Sequence, residues 1–540
     1  MACGGCAAGR SGYPPGIGRH PAGVRPPAEG CAMSHSTSIS RRGLLAAGGL
    51  LLPASAFGQS AAQPRKGGIL RFCRPDGPDT LDPQQTNSFS GADYGQMVYD
   101  NLFSLDAENQ PVPALATACT AEQGGTEWVI TLREGVTFHS GDAFTATDVV
   151  ATIERSMDRA RAGFAFGCFG PVKEVRAEGP HKLRVVLRAP FGEFAVNLAY
   201  RGCCMLPAKN IDGLRESPNG TGPFVFKDFQ PGSSLTVERN PHYWNAGTVH
   251  LDGVRMVFIR EAVAMQAALR GGQVDLITAI PAETFLAMRS ARGFRAYSSV
   301  TGDHQAVQMM GNMAPFDNPK VREAFKYMLD RKTVLASALF GQGAIGNDTS
   351  LPPGNPYLPP LPQYEQDLPR AKRLLEEAGL AGPISLDFWT TSDRPPAPKM
   401  VLAFSEAAAR IGVTLRVRDI PYTEYAANVA RKMPLYTSNW GGSATLFDGV
   451  HKYYHSKAIY NYSGIEAAPG LDAKLDAMIA EVDLAKRKAL AAEALTMIHA
   501  SSDRIIPYFR NYVGVTSDKL QGFAPPRFGV METRGLWLSA

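Results

Sequence analysis

From about residue 66 onward, short strand-like runs alternate with amphipathic ones. Glu127 to Arg133 puts Trp128, Ile130 and Leu132 on one face at a spacing of two, which predicts a half-buried strand. Further strands are read at residues 67–72, 182–187, 234–238, 254–259, 384–389 and 413–417. Thr145-Ala146-Thr147-Asp148 is a capping box that opens a helix over 146–157. A second helix over 262–269 runs to Gly271 near its C-terminus. Asn318-Pro319 supplies a cap and a first turn, and Val321, Phe325, Met328 and Leu329 then form one apolar stripe. Helices are also expected at 371–378, closed by Gly379, at 400–411, and as one or two surface helices within 471–500. The Pro-rich stretch 347–362 reads as an ordered loop or a covering strap. Alternation of this kind predicts an α/β fold, and two halves without an internal repeat suit two lobes around a cleft.

The N-terminus follows a different pattern. Ser40-Arg41-Arg42-Gly43-Leu44-Leu45 leads into a short apolar run, 46–52, and then Ala54-Ser55-Ala56. Basic, weakly apolar and small-residue zones in that order match a twin-arginine export signal, assigned here to 33–62. The apolar run is too short for a membrane span, which needs about 20 residues. No Cys ends it, so a free periplasmic protein is expected rather than a lipid-anchored one. Residues 1–32, rich in Gly, Pro and Cys, read as an unstructured leader or an over-extended start.

This division changes the meaning of the charge. The whole chain carries 55 basic and 50 acidic residues, a net of +5. Without the five arginines and one glutamate of 1–62, the net is +1. A near-neutral body gives no reason to expect nucleic acid or an anionic membrane as partner. Five of the eight cysteines remain: Cys73, Cys119, Cys168, Cys203 and Cys204. An oxidising compartment allows one or two bridges among them, and the pairing is open. Adjacent Cys203 and Cys204 read as small packed hydrophobes in preference to a redox pair.

Catalytic signatures are missing. The sequence has no P-loop, no G-x-S-x-G elbow, no H-E-x-x-H and no G-x-G-x-x-G after a strand. Among the five cysteines after residue 62 no spacing suits zinc, the Cys3–Cys6 C-x-x-C falls in the leader, and no carboxylate pair is spaced for acid/base work. His451 and His455 would share a helical face, where aromatic packing is a commoner fate than metal binding. The expectation is a non-enzyme with no catalytic residues, no resident metal and no cofactor.

Four groups of runs, in order, resemble the family 5 extracellular solute-binding proteins, the receptors of peptide-type and nickel-type ABC importers. The first is Thr80-Leu81-Asp82-Pro83 with Val98-Tyr99-Asp100-Asn101-Leu102-Phe103. The second runs from Trp128 through Gly135-Val136-Thr137-Phe138-His139-Ser140-Gly141 to Asp148-Val149. The third is Asn219-Gly220-Thr221-Gly222-Pro223-Phe224, Arg239-Asn240-Pro241-His242-Tyr243-Trp244 and Leu269-Arg270-Gly271-Gly272-Gln273-Val274-Asp275. The fourth is Pro315 to Phe325, leading to Asp330-Arg331. Gly135 and Gly141 bracket a tight hairpin that calls for positive φ, and the glycines around Thr221 let backbone pass close to a partner.

The resemblance implies a two-lobed periplasmic-binding-protein type II fold with a two-strand hinge and a ligand cleft between the lobes. Lobe I is expected over 63–305, with a subdomain at about 110–220, lobe II over 306–505, and a return to lobe I over 506–540. It implies a monomer that delivers a small carboxylated, peptide-like solute to ABC permease subunits. Arg394 stands where dipeptide-binding relatives hold a ligand carboxylate, a task suited to a guanidinium fork. Trp440 would wall the ligand, beside Gly441. Peptide binders carry an Asp shortly after this Trp; here Ser443 stands in that place and Asp448 is the nearest acid, which disfavours a free-amine dipeptide. Phe89, Tyr94 and His304 are further cleft candidates. His304, His451 and His455 keep a nickel or metallophore receptor as the alternative, and a periplasmic enzyme is the remoter one. Glutathione, modified peptides and opine-like compounds are compatible with Arg394.

Overall fold

In the computed structural model, two long antiparallel strands, Phe294–Met309 and Arg504–Ser517, form the spine of an 11-stranded mixed sheet. The structure describes residues 63–539 apart from 502 and 527; the export signal and leader expected within 1–62 lie outside the described residues. On one side of the spine, Leu276–Ile277, Ile69–Arg74, Gly253–Phe258, Ser234–Arg239 and Phe224–Gln230 follow in that order. On the other side lie Leu435–Trp440, Ile384–Thr390 and Val413–Asp419. The last two pair in parallel around the helix Ala397–Ala409, a βαβ unit. A separate four-stranded antiparallel sheet joins Ala116–Glu122, Glu127–Leu132, Lys182–Leu187 and Val172–Ala177.

The two sides of the sheet have their own apolar cores, which makes two lobes. Leu70, Phe72, Val98, Phe224 and Met256 belong to one core; Val307, Phe325, Phe388, Phe404 and Leu435 belong to the other. Both faces of the central strands are covered, so residues such as Phe72, Cys73, Ile505 and Ile506 are buried one after another.

Between the lobes the two long strands lose register. Val300 pairs with Asn511 and His304 with Phe509, so Thr301, Gly302 and Asp303 stand opposite Arg510 alone. Thr301 Oγ1 donates to the Arg510 carbonyl at 2.8 Å and accepts the Asp303 N–H at 3.0 Å, which stabilises the bulge. Neither spine strand is among the strands expected from the sequence.

Local signals are reproduced closely. The helix Ala146–Ser156 begins at a capping box in which Thr145 N–H donates to Asp148 Oδ2 at 2.8 Å. Pro319–Met328 is capped by Asn318, and Val321, Phe325 and Met328 are buried in one core. Leu368–Glu377 starts three residues before the expected helix, because Asp367 caps it and Pro369 fits its first turn. Gly135 and Gly141 do adopt positive φ, +75° and +90°. A Cβ on Gly220 would lie 1.9 Å from the Val98 carbonyl oxygen, so the run Asn219–Phe224 does bring backbone against backbone. The helices Leu471–Ala480 and Leu484–Ser501 bury Leu475, Met478, Leu495 and Ile498 in a shared core and are not merely superficial. Residues 347–362 contain no helix or strand; Leu351 and Tyr357 pin that segment to the same core. All five described cysteines are free, with Cys203 and Cys204 fully buried.

Candidate functional site

The helix Phe89–Val98 begins at Ser88, whose hydroxyl accepts the Gly91 N–H at 2.9 Å. That cap sets Phe89 and Gln96 at the edge of a cavity of about 510 Å³. Three other segments of the first lobe complete that side: Asp100 to Ala107, the turn around Tyr200 and Arg201, and the C-terminal stretch from Ala524 to Arg534. The opposite wall is Asp303 of the hinge bulge with the loop Gly441 to Thr445. The walls meet at two glycines: a Cβ on Gly302 would lie 2.6 Å from the Gly442 Cα. Asp303 Oδ1 accepts the Gly442 N–H at 2.8 Å, and its other oxygen lies 3.7 Å from Arg510. The loop that follows Leu435–Trp440 is thereby tied to the hinge.

Most charges in the wall are already paired. Asp100 accepts from Trp244 Nε1 at 3.0 Å, Tyr243 Oη at 3.1 Å and Thr221 Oγ1 at 3.3 Å. Burial pushes its carboxyl upward, against the nearby Arg534 charge and the indole and phenol donors. Arg534 Nε donates to Glu532 at 2.8 Å, and its Nη1 lies 3.7 Å from Asp100. Asn101 Nδ2 donates to the Tyr200 carbonyl at 2.7 Å, while its buried Oδ1 has no partner among the described residues. Arg201 stacks over Phe89 at 5.0 Å and Phe164 at 4.7 Å. Its buried Nη1 also has no hydrogen-bond partner among the described residues.

The structure brings Phe89, Gly441 and Ser443 together in the cavity wall. Ser443 Oγ accepts the Thr445 N–H at 3.2 Å, which shapes the loop. Trp440 precedes the loop, but its ring is buried against Tyr453 at 4.5 Å and Tyr462 at 4.9 Å. Tyr94 is fully buried on the inner face of its helix, edge-on to Tyr99 and Phe226. His304 is fully buried as well. Its Nδ1–H donates to the Gly302 carbonyl at 2.8 Å, and burial pushes the imidazole down to about 3, so it is neutral at physiological pH. Asp448 pairs with Lys452 one helical turn on. Arg394 is exposed outside the cavity wall; its guanidinium lies 4.2 Å from the Tyr422 ring centre, and its carbonyl accepts from Gln305.

His451, His455 and Asp476 place ligand-type atoms within 4.8 Å of one another. His451 Nε2 lies 3.0 Å from Asp476 Oδ1, and His455 Nε2 lies 3.4 Å from the same oxygen. His455 Nδ1 accepts the Lys457 N–H at 3.2 Å, so the neutral ring carries its proton on Nε2, facing Asp476. Asp476 thus takes one hydrogen bond, from His451, and a further close contact from His455, while the buried His451 Nδ1 has no partner among the described residues. Burial holds His451 below its ordinary range, against the pull of Asp476.

Asp100 and Asn101 were legible as part of the run Val98–Phe103, though not as cavity residues. Arg201, Asp303 and Arg534 have no local signature. Each depends on segments 100 or more residues apart meeting at the hinge.

The family model described as bacterial extracellular solute-binding proteins, family 5 Middle, matches residues 110–461. The glutathione-binding protein GsiB of Pectobacterium atrosepticum is 25% identical over 458 residues, covering 82% of this chain and 89% of that protein. Among solved structures, HbpA2 from Haemophilus parasuis matches with a TM-score of 0.80 at 21% identity, over 88% of this chain and 100% of that one. The ABC transporter-associated periplasmic binding protein DppA from Helicobacter pylori, in complex with the peptide STSA, matches with a TM-score of 0.73 at 22% identity, over 88% and 98%. The solved structures share the fold derived above, two α/β lobes joined through long strands. With the family model spanning well over half of its length, the chain belongs to the bacterial extracellular solute-binding proteins of family 5.

Proposed function

We propose that this protein is the periplasmic receptor of an ABC importer, capturing a small carboxylated, peptide-like solute and handing it to membrane permease subunits. The observation that carries the reading is the cavity of about 510 Å³, walled on one side by the first lobe and on the other by the hinge and the loop after Trp440. Its size and its mixture of aromatic rings with a few polar groups suit a ligand of a few residues. Closure about the two-strand hinge would bury such a ligand and present one shape to a permease. A relative binds glutathione and a structural neighbour holds the peptide STSA, in keeping with this chemistry. The twin-arginine signal expected from the sequence around Arg41-Arg42 would supply the route to the periplasm. Family 5 members are transport receptors, and binding without turnover is expected. Among the described residues no helix is long and apolar enough to cross a membrane.

Thermal-shift and calorimetric titration with glutathione, dipeptides and amino-acid conjugates tests the reading. A true ligand at 100 times its Kd adds about 2.7 kcal/mol to stability. Failure of every carboxylated compound to bind overturns the proposal.

A further inference from the structure

Arg201 borders the cavity; its side chain is in hydrogen-bond contact with the neighbouring Tyr200, yet no carboxylate is paired with it among the described residues. The other described cation in the wall, Arg534, is held by Glu532 and Asp100. Arg201 joins no salt bridge among the described residues, and its buried Nη1 makes no hydrogen bond there. The nearby Asp93 is spent on others: it accepts from Arg74 Nε at 2.6 Å and from the Met531 N–H at 2.7 Å. A guanidinium N–H buried without an acceptor is costly, and an arriving carboxylate removes that cost through charge-assisted, two-pronged hydrogen bonds. The rings of Phe89 and Phe164 stack on the guanidinium and hold its plane, so little conformational freedom remains to be lost on binding. Asn101 Nδ2 donates to the carbonyl of Tyr200, the residue before Arg201, and its buried Oδ1 lacks a donor among the described residues. An amide N–H beside a terminal carboxylate would match that pair of groups.

We propose that Arg201, and not Arg394, anchors the carboxylate of the ligand. The assignment rests on the receptor reading above and deepens it: the solute is a peptide-like acid whose terminal carboxylate enters between Phe89 and the turn at Tyr200. Arg394, exposed and stacked on Tyr422, then contributes little to affinity.

The test is calorimetric titration of the mature chain with glutathione, Ala-Ala and Met-Leu, each as free acid and as C-terminal amide. Wild type, Arg201→Gln, Arg201→Lys and Arg394→Ala are compared, with circular dichroism and melting curves to verify folding. Wild type should prefer acid over amide. In Arg201→Gln that preference should collapse, with acid affinity falling on the order of 10–100-fold and amide affinity changing little. Arg201→Lys should restore part of the preference, and Arg394→Ala should keep it. A folding defect would weaken acid and amide alike, so the ratio separates anchoring from structure. An unchanged ratio in Arg201→Gln, or a collapse in Arg394→Ala, overturns the assignment while leaving the receptor reading intact. Binding of none of the acids by wild type overturns both.

Discussion

His304 stands where the spine strands lose register, and its environment makes it a pH-dependent component of stability. Its Nδ1–H is bonded to Gly302, its Nε2 is buried without a partner among the described residues, and its pKa is pushed down to about 3 by burial. An unfolded histidine takes up a proton near pH 6.5. Between pH 6.5 and about 3 the unfolded chain therefore binds a proton that the native chain refuses. The stabilisation is complete above pH 6.5 and is lost on acidification, at up to about 1.4 kcal/mol per pH unit. His304→Gln should flatten this part of the profile, seen as a smaller drop in urea midpoint between pH 7 and pH 4.5 than in wild type. An equal drop would contradict the buried neutral state. Single residues were also the least legible level. Phe89, Gly441 and Ser443 line the cavity, whereas Trp440 and Tyr94, aromatic like Phe89, pack inward. Side-chain type does not distinguish these outcomes; the direction set by strand register and helix face does.

Elements with a local cause were the most readable. The Thr145–Asp148 box closes within four residues, so its chemistry is present in the sequence itself. Thr145→Ala should cost about 1 kcal/mol in a denaturant titration, and a loss below a few tenths would contradict the capping assignment. The spine strands were illegible for the opposite reason. Phe294–Met309 changes partners along its length and carries Ser298, Ser299, Thr301, Gly302 and Asp303 in its middle, so no single period runs through it. A second long-range feature joins elements that sequence reading kept apart. Glu193, fully buried beside the four-stranded sheet, accepts the N–H groups of Leu446 at 3.0 Å and Phe447 at 2.9 Å. The neighbouring Gly192 is bonded to Ile479 and Arg487, and Phe191 meets Phe447 edge-on at 5.3 Å. Glu193→Ala leaves two backbone donors without their acceptor, a loss of about 2–3 kcal/mol. Hydrogen exchange at Leu446 and Phe447 should accelerate at least about tenfold in that variant. Unchanged protection would show that the contact does not hold these segments together.

For the whole molecule, the α/β alternation and the ordered family runs sufficed to predict two lobes, because they report local structure and a shared chain order. The cavity was not predictable in the same way. It forms where residues near 90, 100, 201, 303, 442 and 530 meet, and that meeting is a property of the complete topology. The sequence placed the carboxylate site at Arg394 through resemblance, while the fold leaves that side chain outside and puts Arg201 in the wall. The receptor function is tested most directly by calorimetric titration of the purified mature chain with glutathione and a panel of dipeptides. Saturable binding of one carboxylated compound per chain, without chemical change on recovery, is the predicted result. No binding by any member of the panel, or conversion of a bound compound into product, would contradict it.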